Sequence, residues 1–220
     1  MRVAFLFSGG KDSAYAAYLA KEKLGHELAY AVTMKSENPD SYMFHTANIG
    51  VTSKQCEKMG IKHILAPTKG EKEKELSDLH NALSQPGIEG VVSGAVASEY
   101  QKSRVDKICR ELGLESIAPL WRMNQVQLLN KIVASGFDAV ISSVSAGGFS
   151  EEWLGRHIDK NCVNDIEALS KRYGINPSGE GGEYCTTVLN CPLFSGAIKV
   201  LKARREWSGS SGKYIIEECG

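Results

Sequence analysis

The 220-residue chain balances 26 Lys and Arg against 26 Asp and Glu, so it lacks the basic excess with which a protein usually grips long nucleic acid. Its 42% apolar and 24% charged residues are those of an ordinary globular protein. No apolar run approaches the ~20 residues of a membrane span, and only five apolar residues separate Arg2 from Ser8, so no signal-peptide pattern is read and a cytoplasmic protein is expected.

Residues 3–7 are a continuous apolar run, the pattern of a strand buried on both faces. Ala16, Leu19, Ala20 and Leu24 then recur at helical spacing, opened by Ser13 and closed by Gly25 at a C-cap position. Strands are predicted over 28–34 and 63–66, a charged amphipathic helix over 71–83, and a fourth strand over 90–93. Val105, Ile108, Cys109 and Leu112 mark a helix ended by Gly113, with a fifth strand over 115–118. Such alternation implies a parallel sheet covered by helices on both faces, a Rossmann-like α/β fold. Past residue 120 the pattern changes. Val126, Leu129 and Val133 mark a helix, 138–144 a strand, and Ile166, Leu169 and Tyr173 another helix. Only strand signals follow Gly182, over 184–189, 197–202 and 213–217, with Ser208-Gly209-Ser210-Ser211-Gly212 as a flexible turn that pairs the last two antiparallel. The expected division is a parallel-sheet domain over 1–122 and a smaller α+β domain over 123–220.

Six cysteines include no pair at the two-residue spacing of a zinc knuckle or dithiol redox site. They read as free, reduced thiols. The chemistry lies instead in Ser8-Gly9-Gly10-Lys11-Asp12-Ser13, between the first strand and the first helix. That position is the carboxyl edge of a parallel sheet, where open α/β folds bind ligands. Two glycines let the backbone turn sharply against a ligand, and the unpaired amides of the helix start form an anion site. Ser8 and Ser13 add hydroxyls, and Lys11 adds a charge within reach of a phosphate. Asp12 would repel phosphate without an intervening cation, which points to Mg²⁺. The spacing excludes a Walker A loop, and the dinucleotide G-x-G-x-x-G pattern is absent. The string resembles the signature of the PP-loop superfamily. That resemblance implies that the loop holds the β- and γ-phosphates of ATP, that AMP passes to a substrate oxygen, and that pyrophosphate leaves. It also implies that backbone groups at Met34 hold adenine and that Gly94 and Ala95 lie near the ribose and α-phosphate.

Further strings narrow the family: Ser36-Glu37-Asn38, Ser41-Tyr42-Met43-Phe44-His45-Thr46, Ser93-Gly94-Ala95-Val96-Ala97-Ser98-Glu99-Tyr100-Gln101, Trp153-Leu154-Gly155-Arg156, Glu180-Gly181-Gly182-Glu183-Tyr184 and Pro192-Leu193-Phe194. Together they resemble the diphthine–ammonia ligase family in its short form, over essentially the whole chain. The resemblance implies that ATP, ammonium and diphthine, a modified histidine of translation elongation factor 2, give diphthamide, AMP and pyrophosphate. The diphthine carboxylate attacks the α-phosphorus, and ammonia then displaces AMP. No glutaminase apparatus is visible, so free ammonium is the expected nitrogen source. Elongation factor 2 is the expected protein partner, with no nucleic acid or membrane, and a homo-oligomer is left open. Glu180 and Glu183 are expected to serve the acceptor half-reaction, Glu183 first because Tyr184 begins a strand that would hold it rigidly. Tyr100 and Arg104, one helical turn apart, are candidates to face the phosphates. His45 reads as a nucleotide ligand, a proton-transfer group or a helix-cap or structural histidine, Arg156 as a contact for the protein substrate or an interface, Trp153 as core, and Cys185 as structural. The rival readings are another PP-loop adenylating enzyme, such as a tRNA-modifying one, and a non-catalytic nucleotide-binding regulator.

Overall fold

A computed structural model of the chain describes residues 1–38, 47–71 and 74–220. Five parallel strands form the first sheet: β1 (Arg2–Leu6), β2 (Glu27–Ser36), β3 (Lys62–Thr68), β4 (Gly90–Val92) and β5 (Glu115–Ile117), in the order β3-β2-β1-β4-β5. The connecting helices are α1 (Lys11–Glu22), α2 (Thr52–Met59), α3 (Lys74–Leu83) and α4 (Glu99–Leu112). One face carries α1 and α2 over Val3, Phe5 and Val92; the other carries α3 and α4 over Ala4, Val32 and Val91. Adjacent residues of a strand point to opposite faces, which is why the central strands must be apolar at every position. The fold is Rossmann-like, and strand order reverses at β1 and β4, the switch point where such sheets bind ligands.

The rest of the chain forms α5 (Gln125–Ala134), β6 (Asp138–Val144), α6 (Lys160–Tyr173), β7 (Tyr184–Asn190), β8 (Val200–Ser208) and β9 (Ser211–Cys219). Its four strands make an antiparallel sheet in the order β7-β6-β9-β8. Leu129, Ile141, Cys162, Val163 and Ile166 are buried where α5 and α6 cover this sheet. Trp153 belongs to the same core, as the sequence suggested. Among the described residues no helix is long and apolar enough to cross a membrane, and all six cysteines are free thiols.

Several local expectations are corrected. Helix α1 begins at Lys11 with Gly10 as its N-cap, not at Ser13, because the Ser13 hydroxyl serves the loop instead. It stops at Glu22 with Lys23 as cap, and Gly25 takes its left-handed φ of +70° two residues later. The eighth strand starts at Val200 rather than 197, and the Ser-Gly run is mostly strand. Ser208 pairs with Ser211, so only Gly209 and Ser210 turn, with Gly209 at φ +64°. Pairing with the long β9 sets these limits. Helix α2 was not expected at all.

Candidate functional site

Gly9 sits at φ +79°, a backbone region that L side chains rarely adopt. A Cβ there would lie 2.6 Å from Gln55 Oε1. Gln55, fully buried on α2, donates its amide to the carbonyls of Gly9 at 2.9 Å and Val188 at 2.7 Å. The Val188 N–H donates to the same Gly9 carbonyl at 2.9 Å, and the Lys11 N–H to Thr186 Oγ1 at 3.0 Å. The loop therefore covers the open edge of β7, whose polar backbone would otherwise be exposed. Inside the loop, Ser13 Oγ donates to the Gly10 carbonyl, accepts from the Ser8 N–H at 3.3 Å, and lies 3.1 Å from Ser8 Oγ. Among the described residues, the amides of Gly9, Asp12 and Ser13 meet no acceptor. They are donors left for an anion at a helix start.

Gly94 closes one wall. A Cβ at Gly94 would lie 2.8 Å from Ser13 N and 2.9 Å from Asp12 C, so only glycine lets the loop after β4 rest on the first turn of α1. Ala95 is buried beside it. Glu180 then ties this loop to the second sheet, accepting from Val96 N–H at 2.8 Å and Ser98 N–H at 3.2 Å. Burial raises the Glu180 carboxyl above the ordinary carboxylate range, and the charge of Asp12 adds to the rise, while amides of the 94–98 loop offset part of it. Glu183 is engaged inside its own turn. It accepts from the Asn176 backbone and side-chain amides at 2.8 and 2.6 Å and from Gly181 N–H at 2.8 Å.

The Lys11 ammonium group is buried, donating to Asp12 Oδ2 at 2.8 Å and to the Ser178 carbonyl at 2.5 Å. It also lies 5.1 Å from the centre of the Tyr184 ring. Burial, with the charge of Asp12 adding to it, pushes the Tyr184 phenol well above its ordinary range. Asp12 Oδ1 is buried without a hydrogen-bond partner among the described residues, an acceptor suited to a cation. Among the described residues no group of three His, Cys, Asp or Glu side chains forms a metal site. One carboxylate nonetheless fits Mg²⁺, which commonly arrives on a nucleotide and keeps several waters.

Backbone groups alternate sides along a strand, and the Val32 carbonyl accepts from Phe7 N–H on the β1 side. The Met34 backbone therefore points the same way, where β1 has already ended at Leu6. On α4, the Arg104 guanidinium lies 3.5 Å from the centre of the Tyr100 ring and donates to the Tyr100 carbonyl. Arg156 stacks on Trp153 at 4.6 Å and pairs with Asp165. His45 and the string from Ser41 to Thr46 lie outside the described residues. Sequence reasoning missed Gln55, Thr186 and Ser178. Thr52, Gln55 and Cys56 share one buried helical face at i, i+3 and i+4, a spacing visible in the sequence but not in its apolar pattern.

The family model described as the diphthamide synthase N-terminal domain matches residues 1–116, and the one described as the diphthamide synthase C-terminal domain matches residues 124–219. The chain is 34% identical to the mouse diphthine–ammonia ligase over 225 residues, covering 91% of this chain and 83% of that protein. It is 33% identical to the human diphthine–ammonia ligase, with 91% and 83% covered. Against the fission yeast diphthine–ammonia ligase it is 35% identical over 97% of its length, and it spans 38% of that longer protein. A glycine-rich loop at the switch point of a Rossmann-like sheet, a glutamate-bearing turn tied to the neighbouring loop, and matches along nearly the full length agree: the chain belongs to the diphthamide synthase family, that of the diphthine–ammonia ligases.

Proposed function

We propose that the protein is an ATP-dependent amide ligase that adenylates the carboxylate of diphthine on translation elongation factor 2 and amidates it with ammonium, releasing AMP and pyrophosphate. Membership of a ligase family supports the reaction class. The observation that carries the reading is the loop of residues 8–13, with the open amides of Gly9, Asp12 and Ser13 at the switch point and the carboxylate of Glu180 beside it. In this reading the amides and the Ser8 and Ser13 hydroxyls hold the β- and γ-phosphates, and the Met34 backbone meets the adenine edge. Gly94 and Ala95 leave room for the ribose and α-phosphate, with Tyr100 and Arg104 on the helix beyond. Asp12 would hold Mg²⁺, which supplies positive charge to the phosphates when bound.

A carboxylate is a poor acceptor for ammonia until its oxygen becomes a leaving group, which adenylation achieves. Fixed amide donors suit charge developing on the phosphorus, since they need no reorganisation during the reaction. Glu180 is the carboxylate facing the site, and it has the raised affinity for a proton that suits a base acting on ammonium. Glu183 braces the turn that presents it. The test is incubation with ATP, ammonium and diphthine-bearing elongation factor 2. Mass spectrometry of the modified peptide should show the acid converted to the amide, and chromatography should show AMP rather than ADP. Acceptor-dependent ADP, or an unchanged peptide, would overturn the reading.

A further inference from the structure

The surround of the Lys11 ammonium group suits a free ammonium ion as well as it suits a lysine. Nζ meets a carboxylate oxygen of Asp12, a backbone carbonyl at Ser178 and the face of Tyr184, and the side chain is only 3% exposed. Carboxylate, carbonyl and aromatic face are the groups that hold a small cation out of water. Ser178 and Tyr184 are themselves held in place. The Ser178 amide and hydroxyl both donate to Gln125 Oε1, at 3.0 and 2.9 Å. The Tyr184 hydroxyl donates to the Pro177 carbonyl at 2.6 Å, and its ring lies against Phe149, which packs edge-on to Trp153. Glu180 follows two residues after Ser178, where it accepts from the Val96 and Ser98 amides, and the charges of Asp12 and Lys11 both act on its carboxyl.

We propose that the cradle of Asp12 Oδ2, the Ser178 carbonyl and the Tyr184 ring is the ammonium site of this enzyme, and that Lys11 fills it until a bound triphosphate draws the lysine out. The inference rests on the ligase reading above. Lys11 is the first residue of α1, beside the open amides, and its flexible four-carbon stem gives it other rotamers once the ammonium group is released. A triphosphate offers several negative charges where the cradle offers one carboxylate, so nucleotide binding favours the outward position. The vacated seat then takes one ammonium ion in place of one lysine ammonium, and no net charge is buried. Ammonium gives its proton to Glu180, leaving neutral ammonia with a free electron pair and Glu180 as the neutral acid. The consequence is an order of binding, with ATP first and ammonium second.

The test compares melting temperatures in ammonium chloride and in tetramethylammonium chloride at equal ionic strength, with and without an ATP analogue that cannot break between its α- and β-phosphorus. Ligand that binds only the folded state raises Tm. Wild type should show an ammonium-specific rise only with the analogue, and Lys11→Met should show it without nucleotide. Tyr184→Leu should lose the rise and increase the ammonium KM about tenfold or more while ATP affinity holds, and Tyr184→Phe, which keeps the ring face but not the hydroxyl that holds it on Pro177, should retain an ammonium-specific rise. A rise in wild type without nucleotide equal to that with it, or no rise in Lys11→Met, overturns the proposal even where Tyr184→Leu fails to fold. Amidation with an unchanged ammonium KM in Tyr184→Leu sinks the cradle alone. The full ammonium pattern without any amidation would sink the ligase reading and leave the cation site.

Discussion

At the scale of single residues, the site depends on what a side chain omits as well as on what it supplies. Gly94 rests on backbone atoms of Asp12 and Ser13 that cannot move without shifting the start of α1. Gly94→Ala should therefore weaken ATP binding about tenfold or more, since even a 1 Å misplacement at a site is costly. Calorimetric titration beside a thermal melt separates this from unfolding. Asp12 carries the buried, unpartnered oxygen, and Asp12→Ala should abolish turnover in a folded protein. A wild-type rate there would remove it from the site. Glu180 makes a prediction about pH. Its carboxyl holds a proton above the ordinary value near 4.5, chiefly because it is buried, so the folded state binds that proton more tightly than the unfolded chain does. The resulting stability is present at and below pH 4.5 and is lost as pH rises through the raised folded value. Glu180→Gln cannot titrate, so its Tm relative to wild type should climb as pH rises from 4 towards neutrality. A constant difference would mean that burial does not govern this carboxyl.

At the scale of elements, the sequence was legible where apolar residues alternate or recur and opaque where a buried face is polar. The span of β6 agrees with its reading at both ends because every residue after Asp138 in DAVISSV is apolar or small. Helix α2 escaped notice because its buried face is Thr52, Gln55 and Cys56, and polar residues form no apolar stripe. Strand β8 was read too early because Ala197 and Ile198 are apolar, whereas the strand itself runs through Lys202, Arg204, Arg205 and Glu206. Those charges sit on an exposed edge, where they discourage pairing with other chains. The contribution of α2 can be measured. Gln55→Leu keeps most of the volume but removes the donor to the Gly9 and Val188 carbonyls. An unmet buried acceptor costs about 1–3 kcal/mol, and losing the unpartnered Oε1 of Gln55 returns part of this. A net loss of about 1 kcal/mol in denaturant melts is expected, with weaker ATP binding because Gly9 loses its brace. Unchanged nucleotide affinity would show that the loop does not need α2.

At the scale of the whole molecule, the parallel sheet and the glycine-rich loop that leads into α1 were readable because both are local in the chain, and the assembly around that loop was not. Gln55, Ser178 and Thr186 meet the loop from 46, 167 and 175 residues away, and no spacing rule reports such contacts. The same long-range docking bears on how the chain unfolds. Helix α1 lies between the two sheets, and its Tyr15 and Tyr18 rings pack edge-on against Phe137, at 5.5 and 5.7 Å. One continuous core joins Val3, Phe5 and Ala17 of the first part to Leu128, Ile132, Phe137 and Val188 of the second. A chain cut after residue 122 would expose the side of α1 that meets these residues, at about 2 kcal/mol for each large apolar side chain uncovered. It would also leave Gly9, Lys11 and Gln55 without Val188, Thr186 and Ser178. Losses of that size exhaust the marginal stability of a domain. The full chain should therefore melt in one calorimetric transition whose calorimetric and van't Hoff enthalpies agree, and residues 1–122 alone should show no cooperative melt and no ATP binding. Two resolved transitions, or a fragment that melts cooperatively near the temperature of the full chain, would mean that the halves are separate folding units and that the loop forms without the second sheet.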